Sequence, residues 1–403
     1  MVTRTEYLQK LLSWKDEKVI KVITGMRRSG KSTLLKQFQE LLINSDISND
    51  QIQYINFEDL DNENLLDYQN LYNELKNKLI AGKKNYIFLD EIQNVAKYEK
   101  VVDSLYIQEN VDIYITGSNA YMLSSDLSTL LSGRYVEINI LPLSFKEYYE
   151  LNCTETKESA FNEYMRFGGL PYLATMQKTP EKVSLYIEGI YNTVIVKDIE
   201  DRTKHSHENK SIDTNLLKTI SKYLADVIGN PVSIKGIADY LCSNNRKTSD
   251  HTVADYTDLL CEAFVFYKSY RFDIKGKELL KTNAKYYIVD TGIRNYLINK
   301  KGFDLGFTLE NIVYLQLIRK GFKVNVGKLN TKEVDFIAQK NGEIEYYQVS
   351  ATMTSESTFN REISVLEEIK DNYKKTILTM DTFTEGNYNG IIVKNVINWL
   401  LEQ

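Results

Sequence analysis

Residues 25–33 read Gly25-Met26-Arg27-Arg28-Ser29-Gly30-Lys31-Ser32-Thr33, a glycine loop of the form G-x-x-x-x-G-K-[ST]. A short apolar run, Val19 to Ile23, precedes it, and Leu34, Leu35, Phe38, Leu41 and Leu42 follow at helical spacing. Strand, glycine loop and helix is the order that phosphate binding requires. Two glycines let the backbone curl until successive N–H groups face an anion at the positive end of the helix dipole. In this pattern Lys31 reaches the β- and γ-phosphates of a nucleoside triphosphate, and the Ser32 hydroxyl completes a Mg²⁺ shell. A glycine turn capping an ordinary helix is the alternative; the flanks favour phosphate, with residues 25–33 as its cradle.

Four more apolar runs follow, Ile52–Phe57, Tyr86–Leu89, Val111–Thr116 and Tyr135–Leu141, separated by helical patterns. Alternating strand and helix predicts an α/β fold with a mostly parallel sheet covered on both faces. The run Tyr86–Leu89 ends in Asp90-Glu91. Two carboxylates delivered at the carboxyl edge of a buried strand suit the metal side of a phosphate loop: Asp90 to hold Mg²⁺, Glu91 to polarise the attacking water. The next strand ends in Thr116-Gly117-Ser118-Asn119, where Ser118 or Asn119 is placed to sense the γ-phosphate; the residues do not choose between them. A helix then runs to about Leu131 and stops at Ser132-Gly133-Arg134.

Bulk properties bound the partners. A chain of 403 residues has room for two to four domains, and a net charge of −5 supplies no global field for nucleic acid, so any DNA contact must come from a local patch. Cys153, Cys242 and Cys261 are odd in number and lack metal spacing, which fits a reducing cytoplasm. No signal-peptide core opens the chain and no run is long enough to span a bilayer, so no membrane partner is expected.

The nucleotide loop, Leu89-Asp90-Glu91-Ile92-Gln93, Gly133-Arg134, Leu141-Pro142-Leu143-Ser144-Phe145 and Gly168-Gly169-Leu170-Pro171 together resemble one group along the whole chain. It is the prokaryotic AAA-family (AAA+) ATPases that carry a C-terminal domain of unknown function. The resemblance implies an ATP- and Mg²⁺-dependent core over residues 1–150, a helical lid over 151–210 and assembly into a homo-oligomer. It makes Arg134 the candidate arginine finger, reaching the γ-phosphate of a neighbouring subunit. It leaves the cellular task open.

Residues 211–301 read as a winged helix. Helices are expected over Leu216–Val227, after the Ser233 cap, and after Thr248-Ser249-Asp250; two β-rich runs, Phe264–Tyr267 and Lys285–Val289, flank a charged hairpin. Arg246, Lys247, Lys268, Arg271, Lys275, Lys277, Lys281 and Lys285 offer a duplex backbone a basic lining. Against DNA, the third helix carries Asp250, Asp255, Asp258 and Glu262, and winged helices also serve as protein-contact modules.

Residues 302–403 follow an αβββαβ order that resembles the restriction-endonuclease-like fold, in which a helix glutamate, a strand aspartate and an E-x-K pair assemble a Mg²⁺ site. Asn341-Gly342 is the preferred dipeptide for a two-residue hairpin turn. Counting outward pairs Lys340 with Glu343 and sets Asp335 opposite Gln348, with Glu333 and Ser350 on the same face. Asp335, Gln348 and Glu310 are therefore the candidate metal positions. The departure is that Gln348-Val349-Ser350 stands where E-x-K belongs, so the site reads as degenerate unless a lysine has migrated from elsewhere, such as Lys328. Three functions remain: an ATPase that moves or remodels DNA, a nucleotide-switched scaffold for a protein partner, and an ATP-coupled nuclease.

Overall fold

The computed structural model of the protein describes residues 2–117, 131, 133–152, 156–194, 199, 212–299 and 304–402. The chain divides into two units, Met1–Pro142 and Leu143–Gln403.

The first unit is built on five strands: β1 (Ile20–Thr24), β2 (Ile52–Asn56), β3 (Asn85–Asp90), β4 (Val111–Thr116) and β5 (Tyr135–Asn139). They form one parallel sheet in the order β2-β3-β4-β1-β5. Every residue of β1, β3 and β4 is buried, which explains why these strands read as largely apolar rather than alternating; the two charged interruptions, Lys21 in β1 and Asp112 in β4, are buried and pair with each other. One face packs Ile20, Val22, Ile87, Leu89, Ile113 and Ile115. The other packs Ile23, Phe88 and Tyr114 against Leu34, Leu35 and Phe38 of the helix Lys31–Ile43. Parallel strands place all five carboxyl ends along one edge, and β4 lies between the strand carrying the glycine loop and the strand carrying Asp90.

The second unit opens with helices Phe145–Leu151, Lys157–Phe167, Pro171–Thr175 and Pro180–Asn192. Within it two of the sequence landmarks clasp each other. The Leu143 N–H donates to the Gly169 carbonyl at 2.7 Å, and the Tyr164 hydroxyl donates to the Leu143 carbonyl at 2.9 Å. The Gly169 N–H in turn donates to the buried Asp290 carboxylate at 2.7 Å. A Cβ at Gly169 would lie 2.4 Å from the Leu143 carbonyl oxygen, and one at Gly168 would lie 2.0 Å from the Asp290 Oδ1. Gly169 is thus required by close backbone approach, and Gly168 by the Asp290 carboxylate packed against it. Gly169→Ala is expected to lower stability by ~1–3 kcal/mol, the usual cost of overpacking, visible as a fall in thermal midpoint.

Helices Thr214–Asp226, Ile234–Ser243 and Asp250–Glu262 follow, with Ser233 and Ser249 capping the second and third through their hydroxyls. Next comes the hairpin β6 (Phe266–Asp273) and β7 (Glu278–Ile288), and after it β8 (Lys323–Leu329), β9 (Lys332–Lys340), β10 (Glu343–Ser350), β11 (Lys374–Thr379), β12 (Gly386–Tyr388) and β13 (Ile391–Asn395). All eight strands share one sheet, ordered β12-β13-β11-β10-β9-β8-β6-β7. This one sheet draws strands from both sides of the expected boundary between residues 301 and 302. Arg271, Phe272 and Asp273 of β6 pair in parallel with Val326, Gly327 and Lys328 of β8, which satisfies a strand edge that a free hairpin would leave open.

The β9–β10 turn follows the sequence count. Asn341 and Gly342 both have positive φ, and Lys340 pairs with Glu343. The ladder continues to Phe336 opposite Tyr347. One step beyond, side chains take over: the Asp335 N–H donates to Gln348 Oε1 at 3.2 Å, and the Val349 N–H donates to Asp335 Oδ2 at 2.8 Å.

Candidate nucleotide site and a second carboxylate cluster

The glycine loop turns directly from β1 into the helix Lys31–Ile43. Gly25, Arg28 and Gly30 all have positive φ, and a Cβ at Gly25 would meet the Ile140 carbonyl oxygen at 2.3 Å. The helix starts without a side-chain cap hydrogen bond and without an acidic residue in its first turn. Its leading N–H groups and dipole are therefore directed at whatever the loop encloses. Ser29 is buried, and its Oγ has no hydrogen-bond partner among the described residues. These features fit a bound phosphate chain. Met26 is buried beneath the loop and Arg27 pairs with Glu58 at 3.1 Å; Ser32 and Thr33 lie in the first helical turn.

Lys31 is buried, its ammonium donating to the Gly25 carbonyl at 3.0 Å and lying 3.9 Å from Glu91 Oε1. Asp90 is fully buried at the end of β3. Its Oδ2 accepts from the Tyr54 hydroxyl at 2.8 Å, and its Oδ1 accepts from the Thr116 hydroxyl. The same Thr116 oxygen accepts the Glu91 N–H at 3.0 Å, so one hydroxyl ties both acidic residues to β4. Glu91 has left-handed backbone geometry, φ 57°, and its Oε2 accepts from Gln93 Nε2 at 2.6 Å. Burial, together with the Asp90 carboxylate, pushes the Tyr54 hydroxyl well above its ordinary value, so it stays a donor at neutral pH.

Three supporting residues escaped the sequence reading. Arg4 is buried and donates to the Ser29 carbonyl at 3.0 Å and the Leu141 carbonyl at 2.8 Å, bracing the loop from the N-terminal segment. Thr116 and Tyr54 orient Asp90; they became visible as candidates only once β2 and β4 were known to flank β3. Ser118 and Asn119 lie outside the described residues. Arg134 sits apart from its own loop: its carbonyl accepts the N–H of Ile20, the first residue of β1, at the edge opposite the glycine loop. Its guanidinium is 3.7 Å from Asp103 Oδ1 and lies over the Tyr106 ring.

In the second unit the three candidate positions keep different company. Glu310, on the helix Leu305–Arg319, is buried, and its Oε1 accepts from Lys285 Nζ at 3.0 Å and from the Tyr287 hydroxyl at 2.7 Å. Lys285 also lies 2.7 Å from Glu333 Oε1. Asp335 is buried beside this group, while Gln348 spends its amide oxygen on the Asp335 N–H. Lys328 lies opposite Glu333 in the β8–β9 ladder, but the lysine in contact with the carboxylates is Lys285. Lys285 is therefore removed from the expected basic lining. Arg246 is tied to Asp213 by two contacts of 2.9 and 3.1 Å, and the Lys281 side chain lies outside the described residues.

Residues 17–149 match the AAA domain family, and residues 158–304 match a domain of unknown function. An uncharacterized protein of Haemophilus influenzae is 42% identical over 407 residues, spanning 100% of this chain and 99% of that protein. The chain belongs to this AAA-domain family. An uncharacterized protein of Methanocaldococcus jannaschii is 32% identical over 373 residues, covering 87% of this AAA protein and 79% of the relative. Among solved structures, a Walker-type ATPase of Pyrococcus abyssi is similar in fold, with a TM-score of 0.50 and 16% identity over 74% of this chain and 96% of that one. Among the described residues no helix is long and apolar enough to cross a membrane.

Proposed function

We propose that this AAA protein binds and hydrolyses ATP with Mg²⁺ at the carboxyl edge of its parallel sheet. The observation that carries the reading is the convergence of Lys31, Asp90 and Glu91, with Lys31 and Glu91 3.9 Å apart and Asp90 fixed by two hydroxyl donors. Ser32 and Asp90 would hold Mg²⁺, which supplies Lewis-acid neutralisation of the phosphate oxygens. The loop N–H groups and Lys31 bind the phosphates, and Glu91 takes a proton from the attacking water. Ser118 or Asn119 senses the γ-phosphate, and Arg134 serves a neighbouring subunit of a homo-oligomer. Lys31→Ala is expected to abolish ATP binding in a fluorescent-nucleotide titration; unchanged affinity would sink the assignment.

The hydrolysis is coupled to DNA binding or remodelling. Supporting this is the order of three capped helices and a charged hairpin, which we read as a winged helix, followed by a tail that we read as restriction-endonuclease-like but degenerate. A second reading, a nucleotide-switched scaffold for a protein partner, draws on the pairing of Arg246 with Asp213 and of Lys268 with Asp258, which takes basic charge away from a phosphate backbone. ATPase activity measured with and without DNA across a salt series separates them: stimulation that fades with salt favours the first, indifference the second. The free thiols of Cys242 and Cys261 fit a cytoplasmic setting.

A further inference from the structure

Three carboxylates from two elements, Glu310 on a helix and Glu333 and Asp335 on β9, approach one another in the second unit. Such a group calls for a cation, because like charges removed from water repel strongly. The cation beside them belongs to the chain itself. Lys285 projects from β7, has a side chain 3% exposed, and places one nitrogen 3.0 Å from Glu310 and 2.7 Å from Glu333. Tyr287, two residues along the same strand and so on the same face, adds a second donor to Glu310. The remaining candidate ligands are turned to backbone duty. The Gln348 amide oxygen accepts the Asp335 N–H, Asp335 Oδ2 accepts the Val349 N–H, and the Ser350 hydroxyl donates to the Thr352 carbonyl.

We propose that Lys285 is the resident cation of this cluster: its ammonium stands where a divalent metal would, closes the cluster to metal-dependent cleavage, and locks the β6–β7 hairpin onto the helix Leu305–Arg319 and β9. Among the described residues no group of three His, Cys, Asp or Glu side chains is arranged to hold a metal ion. The surrounding carboxylates hold the Lys285 ammonium above its ordinary value despite burial, so it remains charged at neutral pH. The inference stands independently of the ATPase reading.

Two measurements on the full chain test it. Lys285→Met leaves Glu310 buried without its ion-pair partner and is expected to lower the thermal midpoint by roughly 10 °C. Lys285→Met combined with Glu310→Gln removes both charges and should recover most of that loss. An unchanged midpoint in Lys285→Met, or additive losses in the pair, would overturn the lock. The second measurement is Mn²⁺ binding to the nucleotide-free chain, followed by electron paramagnetic resonance, with a cleavage assay on supercoiled DNA in Mg²⁺ and Mn²⁺ alongside. The expected result is no Mn²⁺ site and no cleavage that depends on Asp335. Binding or cleavage lost in Asp335→Asn would show that the lysine does not exclude metal and would overturn the proposal, whatever the fate of ATP hydrolysis.

Discussion

Glu91→Gln is expected to keep ATP bound and to lose turnover by about 10²–10⁴-fold, the range that a positioned general base contributes. The geometry separates the two properties. Asp90, the carboxylate assigned to the metal, is fixed by Tyr54 and Thr116, and neither contact involves the Glu91 side chain. The Glu91 backbone is also anchored, by its own N–H on the Thr116 hydroxyl, so replacing the carboxylate by its amide leaves the strand end in place. Removing a negative charge 3.9 Å from the Lys31 ammonium frees that lysine for phosphate and should hold or tighten ATP affinity. Steady-state phosphate release beside a nucleotide titration checks both halves. Normal turnover in Glu91→Gln would transfer the role of base to another group.

The first unit was legible in the sequence because its decisive features are local. Burial on both faces wrote β1, β3 and β4 as largely apolar runs, and the phosphate loop is a contiguous nonapeptide whose backbone geometry follows from its own glycines. The β9–β10 register was equally readable, since a two-residue Asn-Gly turn fixes every pair outward from it. What stayed hidden depends on strand neighbours and on contacts across long stretches of chain. Tyr54 reaches Asp90 only because β2 lies beside β3, and Arg4 reaches the loop from the N-terminal segment, 25 residues before Ser29. Lys285 carried the appearance of one more basic residue on a hairpin, because nothing in residues 278–288 says that β7 will bring it to Glu310. The paired glycines Gly168 and Gly169 stood out as a motif, yet their reason, a clasp with Leu143 and Asp290, required both partners in place.

Arg134→Ala is expected to bind ATP normally and to hydrolyse it about 10³–10⁵-fold more slowly, the contribution of an arginine finger in nucleotide hydrolases. The direction of the sheet makes this a test of assembly. Tyr135 pairs with Ile20 at the start of β1, whereas the glycine loop follows Thr24 at its end. Four rises of a parallel strand separate these levels by roughly 13 Å, farther than an arginine side chain extends from its own backbone. Arg134 is thus badly placed to serve its own nucleotide, so in the proposed role it would serve another subunit's. Its contacts at home are weak: a 3.7 Å approach to Asp103 with the side chain 45% exposed, and a ring face at 5.5 Å. Such an exposed ion pair contributes ~0–1 kcal/mol, so alanine should leave the fold intact. Mixing Arg134→Ala with Lys31→Ala should then restore part of the activity, because at a hybrid interface the first supplies an intact phosphate loop and the second an intact arginine. Full activity in Arg134→Ala, or turnover per subunit that does not change on dilution, would instead mean that each subunit completes its own site.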